Sequence, residues 1–224
     1  MNTTTRQAGP FEPRQQPSAH QMSAASSPSI IAENLGMRYG TTTVFEGLNL
    51  KVLPGRILVL AGPSGAGKTT LLNLLSGLDS ATAGRVNAPG RTQRGFVFQD
   101  YNLLESLSAW DNALLSGRLL GKRVNKAAAR ATFAELGLDG LERRLPHELS
   151  GGQQQRVAVA RVLIARVPFI FADEPTGALD ARSADIVLRN LRGAADRGAT
   201  VVLVSHSPEG LSCADDIVEI GGGR

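Results

Sequence analysis

The sequence has one cysteine, Cys213, in 224 residues. No disulfide can close within the chain, which fits a reducing compartment, and Cys213 is expected as a small buried residue. No run of about 18 apolar residues occurs, so no segment reads as a membrane-spanning helix. Residues 1–29 have no apolar core of a signal peptide. They are rich in Thr, Gln, Ser and Pro and are expected to form a disordered tail. There is no block of like charges, so no nucleic-acid-binding arm is expected. No internal repeat of 20–50 residues is present. What is there is a globular composition, 42% apolar with a formal charge of +4. Acids and bases are interspersed, which predicts an ordinary solvated surface, or at most weak attraction to anionic lipid or nucleic acid.

Ordered structure is expected from Ile30. Residues 30–39 and 43–52 alternate apolar and polar in strand fashion, with Gly40 as the turn between them. Residues 56–61 (RILVLA) are a short apolar run, the mark of a strand buried on both faces. Residues 70–78 place leucines at helical spacing. Residues 84–98 read as strand, turn at Pro89-Gly90, and second strand. The strand signal then vanishes over 103–165, where 110–120, 126–136 and 153–165 are predicted helices. Two more buried-strand runs, 168–172 (PFIFA) and 200–205 (TVVLVS), flank a predicted helix at 183–193. A short strand at 217–220 closes the pattern. Strand–loop–helix followed by strand–helix–strand predicts a largely parallel sheet with covering helices, and the helical block is an insertion.

Between the RILVLA strand and the leucine-rich helix lie Gly62, Pro63, Ser64, Gly65, Ala66, Gly67, Lys68 and Thr69. They fit G-x-x-x-x-G-K-[ST]. The glycines let backbone N–H groups turn inward around an anion, and the following helix aims its positive end at it. Lys68 supplies a charge for the β and γ phosphates, and the Thr69 hydroxyl suits Mg²⁺. A chance match to four fixed positions is on the order of one per cent in such a chain. The strand before it and the helix after it are an independent test of context.

The PFIFA run ends in Asp173 and Glu174, at the carboxyl end of a buried strand, where ligands bind in open parallel sheets. Asp173 would hold Mg²⁺ and Glu174 would orient and deprotonate a water; the alternative is a helix-capping acidic pair. Leu149 is followed by Ser150, Gly151, Gly152 and Gln153, a Gly-rich turn opening a helix and hence a second anion site. One nucleotide does not need two such sites in one chain. The economical reading is a head-to-tail dimer in which each copy's Ser150–Gln153 turn caps the nucleotide held by the other.

With these three motifs in this order, the chain resembles the nucleotide-binding domain of the ABC ATPase family over about residues 30–224. The resemblance implies an α/β fold: a P-loop NTPase (RecA-like) core, an N-terminal antiparallel β subdomain and an inserted helical subdomain at about 100–165. It implies ATP and Mg²⁺ as ligands and ATP hydrolysis as the activity. It adds Thr70 to the phosphate contacts and makes Tyr39 the aromatic that stacks on adenine. Gln99 would touch Mg²⁺ and the attacking water, and Asp180 would lie in the loop crossing the dimer seam. His206, just past a buried strand, would contact the γ-phosphate and position Glu174.

The resemblance also implies partners: a second copy and an integral-membrane permease, with the chain on the cytoplasmic face of the membrane and no nucleic acid. Residues 100–107, with Tyr101, Leu103 and Leu104, would meet the permease or serve as core. The stretches 173–180 (DEPTGALD) and 151–160 are similar to ATPases of lipoprotein-release and macrolide-export transporters. The short 84–95 segment is closer to importers of the nitrate and sulfonate type. A cell-division regulator, or a soluble ATPase acting on DNA or the ribosome, are the remaining alternatives.

Overall fold

The computed structural model describes Thr5–Arg6 and residues 29–221. The expected tail therefore lies outside the described residues, except that Thr5–Arg6 forms a short strand, β1. Then come β2 (Ile30–Tyr39) and β3 (Thr42–Val52), followed by β4 (Ile57–Ala61), α1 (Lys68–Ser76), β5 (Ala83–Val86) and β6 (Arg94–Val97). Next are α2 (Ala109–Leu119), α3 (Lys126–Glu135) and α4 (Gly151–Ala165). The chain continues through β7 (Phe169–Asp173), α5 (Ala181–Asp196), β8 (Thr200–Val204), α6 (Pro208–Ser212) and β9 (Asp216–Glu219).

The strands form two sheets. One has the order β1-β9-β4-β8-β7-β6, and the other β3-β2-β5. In the larger sheet β9, β4, β8, β7 and β6 are parallel, and β1 runs antiparallel along the edge of β9. The smaller sheet is antiparallel. The fold is the α/β P-loop class with its antiparallel β unit. Residues 84–98 behave differently from a simple strand pair: β5 joins β2, whereas β6 joins β7. A one-dimensional pattern records two strands but not which sheet each enters.

Alternation explains why β4, β7 and β8 are apolar throughout, since successive side chains leave opposite faces. Ile57, Val59, Ile170, Ala172, Val201 and Leu203 pack with the α4 and α5 side of the sheet. Leu58, Leu60, Phe169, Phe171, Val202 and Val204 pack with α1 and the antiparallel sheet. Each such buried Val, Leu, Ile or Phe side chain contributes roughly 1.5–3 kcal/mol of apolar transfer. The sheet is thus gripped from both faces, and its carboxyl ends are held rigidly where the loops emerge.

Helices α2 to α5 start on side-chain caps. Ser108, Asn125, Ser150 and Asp180 accept backbone N–H bonds at the starts of α2, α3, α4 and α5, each stabilising its helix by about 1 kcal/mol. Cys213 departs from expectation: it is half-buried, with Sγ donating to the Gly210 carbonyl at 3.1 Å. Burial pushes its thiol up from the ordinary value, so the thiolate is disfavoured.

Candidate active site

The loop after β4 is shaped by glycines that no other residue replaces without strain. Gly62 has φ +139°, and a Cβ there would lie 2.2 Å from the Ile220 carbonyl oxygen. Gly67 caps α1 at φ +94°, and its Cβ would lie 2.3 Å from Val44 Cγ1. Between them, Ala66 N–H closes a turn on the Pro63 carbonyl at 3.2 Å, while Ser64 and Gly65 face solvent. Lys68 is only 8% exposed. Its Nζ donates to the Gly62 and Pro63 carbonyls at 2.9 and 2.8 Å, so the cation lies across the loop's own mouth. Thr69 and Thr70 follow on the first turn of α1, whose N–H groups and dipole favour an anion at this end.

Thr69 Oγ1 donates to Asp173 Oδ2 at 2.8 Å. Asp173 ends β7 and is half-buried. Burial pushes its carboxyl above the ordinary range; the Thr69 hydrogen bond pulls it back, and the Glu174 charge raises it again. The next residue, Glu174, has φ +45°, a left-handed backbone that a non-glycine adopts at a cost of about 1–2 kcal/mol. Its N–H is fixed to the Val204 carbonyl of β8 at 3.1 Å. That turn aims the carboxylate along the strand ends, where Oε1 meets His206 Nδ1 at 3.3 Å. Glu174, Thr176, Leu179, His206 and Ser207 line a groove there.

Lys68, Thr69, Asp173, Glu174 and His206, far apart in sequence, are thus joined at the carboxyl ends of β4, β7 and β8. Gln99, Tyr39, Ser150, Gln153 and Asp180 stand apart from this chain of contacts. Gln99 is exposed in the turn after β6. Tyr39, at the end of β2, is 53% exposed, and its hydroxyl donates to Asp79 Oδ2 at 3.4 Å. Ser150 and Gln153 make a reciprocal cap, with Ser150 N–H donating to Gln153 Oε1 at 2.8 Å and Gln153 N–H to Ser150 Oγ at 3.3 Å. Gly151 lies against the Tyr101 hydroxyl and Gly152 against Leu179. Asp180 is occupied in capping α5 through Ser183.

For a divalent ion, the hard oxygens of Thr69 and Asp173 are hydrogen-bonded to each other and fit Mg²⁺, which takes few protein ligands and keeps phosphate and water oxygens. Among the described residues no group of three His, Cys, Asp or Glu side chains forms a larger metal site.

The sequence pattern does not announce one pair. Asn112, fully buried on α2, donates to the Leu104, Leu107 and Ser108 carbonyls and accepts from Leu104 N–H. Arg161 on α4 reaches the Asn102 carbonyl at 2.9 Å and the Asn112 carbonyl at 3.3 Å. Together they pin the segment after Gln99. The only sequence signal is an amide interrupting the buried stripe of α2.

The loop 62–69, the Gly-rich helix start at Ser150 and the acid pair Asp173–Glu174 all lie within one family match. A family model described as ABC transporter covers residues 45–177. An ABC transporter ATP-binding protein from Methanocaldococcus jannaschii, itself uncharacterized, is 37% identical over 216 residues, 87% of this chain and 96% of that protein. The chain belongs to the ABC transporter ATP-binding family. It is also 40% identical over 201 residues to a macrolide export ATP-binding/permease protein from Mannheimia succiniciproducens. That match covers 82% of this chain and 31% of the relative, so the chain spans about a third of such proteins. The fold agrees with a dimeric ATP-binding cassette solved in a post-hydrolysis state with ADP and Pi, at TM-score 0.76 and 29% identity over 85% of this chain and 94% of that one. The ABC match includes residues 62–69, Gln99, the Ser150 turn and the acid pair. His206 lies beyond the residues the family model covers.

Proposed function

We propose that this chain hydrolyses ATP as the motor subunit of an ABC transporter, closing on a second copy head to tail and driving a permease. The observation that carries this reading is the connected set Lys68, Thr69–Asp173 and Glu174–His206 at the strand ends. ATP would bind with its adenine on Tyr39 and its phosphates on residues 62–70. Thr69 and Asp173, with Gln99, would hold Mg²⁺, which neutralises charge on the β and γ phosphates when bound. Lys68 would leave the Gly62 and Pro63 carbonyls for the phosphates. Glu174 would take a proton from the attacking water, with His206 and Gln99 aligning it. The other copy would offer Ser150, Gly151, Gly152 and Gln153 to the γ-phosphate, with Asp180 at the seam.

The dimeric state of the cassette it resembles supports the pairing. Forty per cent identity to proteins named for macrolide export favours the export or lipoprotein-release group over an importer. No helix among the described residues is long and apolar enough to cross a membrane. In this reading the permease is a separate chain that holds this one at the cytoplasmic face, and exposed Leu104 is the apolar residue offered to it. The test is the dependence of ATP turnover on protein concentration. A dimeric site makes specific activity rise with concentration before levelling, whereas a constant specific activity at all concentrations would count against it.

A further inference from the structure

Gln155 is 2% exposed, and among the described residues neither its Nε2 nor its Oε1 has a hydrogen-bond partner. Buried amides are ordinarily paired, because an unpaired one forfeits its hydration. Its place in the fold gives the reason. Gly95 of β6 lies so close to α4 that a Cβ there would sit 2.8 Å from Val162 Cγ1. As the crossover between parallel β6 and β7, α4 runs back along the strands. Gln155 is two helical turns nearer the α4 start than Val162, about 10.5 Å along the helix, or roughly three strand residues. That reckoning sets Gln155 over Phe98 and Gln99, where the chain leaves β6. Its neighbours on the helix, Gly151 and Gly152, lie against Tyr101 and Leu179.

The segment beside it carries a second cost. Tyr101 and Asn102 have φ of +59° and +47°; an asparagine tolerates this left-handed region, but a bulky tyrosine is strained in it. Beyond them the chain is fixed, because Arg161 holds the Asn102 carbonyl and Asn112 holds residues 104–108. Within residues 99–101 the Tyr101 N–H reaches the Phe98 carbonyl at 3.3 Å and the Asp100 carbonyl accepts from the Asn102 N–H; a rearrangement of these residues would give the amide a partner and let Tyr101 leave its left-handed backbone.

We propose that Gln155 is a positioning residue that, in the ATP-closed dimer, hydrogen-bonds the backbone of residues 99–101 and so holds Gln99 toward the reacting water. This rests on the motor reading above. The side chain supplies a donor and an acceptor, so it engages an N–H and a carbonyl of that segment together. The same amide ties the start of α4, which carries the Ser150 turn offered to the other copy, to the residue reporting on the water.

The experiment uses the full chain with Glu174→Gln to hold ATP, with and without Gln155→Met, a swap of similar length that removes both polar atoms. Dimer size is read by sedimentation, and backbone exchange of residues 99–101 by hydrogen–deuterium mass spectrometry. With Gln155 present, ATP is expected to slow exchange there. With Gln155→Met added, the dimer forms but the segment stays fast. In the otherwise native chain, Gln155→Met is expected to lower kcat about tenfold, the worth of one lost hydrogen bond, with KM for ATP unchanged. Its melting temperature is expected to hold or to rise by roughly 2–4 °C. A lower melting temperature with unchanged kcat would show an amide already satisfied at rest and overturn the proposal. If Gln155→Met fails to fold, exchange in the Glu174→Gln dimer still decides: no protection of 99–101 on ATP overturns it. Absence of any ATP dimer overturns the motor reading instead.

Discussion

Thr69 Oγ1 donates to Asp173 Oδ2 across 104 positions of sequence, tying the first turn of α1 to the end of β7. That bond holds together the two oxygens suited to a magnesium ion, and it does so beside a carboxyl raised by burial. An acid whose folded value lies above its unfolded one keeps its proton better when folded. The folded state therefore loses stability as pH rises from the ordinary aspartate range through the raised value, and the cost is fully present above it. Asp173→Asn keeps an acceptor for Thr69 and removes the charge. It is expected to melt above the native chain at pH 7, with the difference closing as pH falls below about 3.9, while ATP turnover is lost. Thermal unfolding across pH checks this.

Lys68 holds two loop carbonyls with one buried ammonium. Lys68→Ala is expected to weaken ATP binding itself by roughly 10- to 150-fold, the worth of a charged hydrogen bond of about 1.5–3 kcal/mol. Calorimetry with ATP measures it, and unchanged affinity would remove the loop from its role.

Gly62 leaves no room for a methyl group against Ile220. Gly62→Ala is expected to cost at least about 1–3 kcal/mol, because both the positive φ and the backbone overlap must be relieved. Denaturant unfolding gives the number. Gly65→Ala is the contrast: among the described residues beyond its chain neighbours no atom lies within 4 Å of the added carbon, so the φ of +77° is what opposes it.

Ser150 caps α4 and is exposed. Ser150→Arg is expected to lose about 1 kcal/mol of cap stability and to keep the ATP affinity of the monomer. It should no longer form the ATP-dependent dimer, as light scattering at several protein concentrations would report.

Much of this site is legible in the sequence because its parts are local. Residues 57–61 and 200–204 are apolar at nearly every position, which only a strand covered on both faces requires, and residues 62–69 are constrained by their own contacts. What escapes a linear reading is what depends on packing between distant segments. Nothing in the run 168–174 shows that Glu174 turns left-handed, since Val204 of another strand fixes it. Helix α6 spans only Pro208–Ser212, too short for a period to appear. The strands β5 and β6 part into two sheets because of partners far along the chain. Gln155 is buried on a helix start whose sequence is polar, and packing against distant segments, not the local pattern, decides that.

The most direct measurement is on Glu174→Gln, which keeps the shape of the side chain and removes its basicity. Steady-state ATP hydrolysis and dimer size are measured on the same preparation, with the native chain alongside. The expected result is turnover lower by about two or more orders of magnitude together with a stable dimer that forms only with ATP. Near-native hydrolysis by this variant, or a monomer at saturating ATP, would contradict a motor in which Glu174 activates water within a two-copy site.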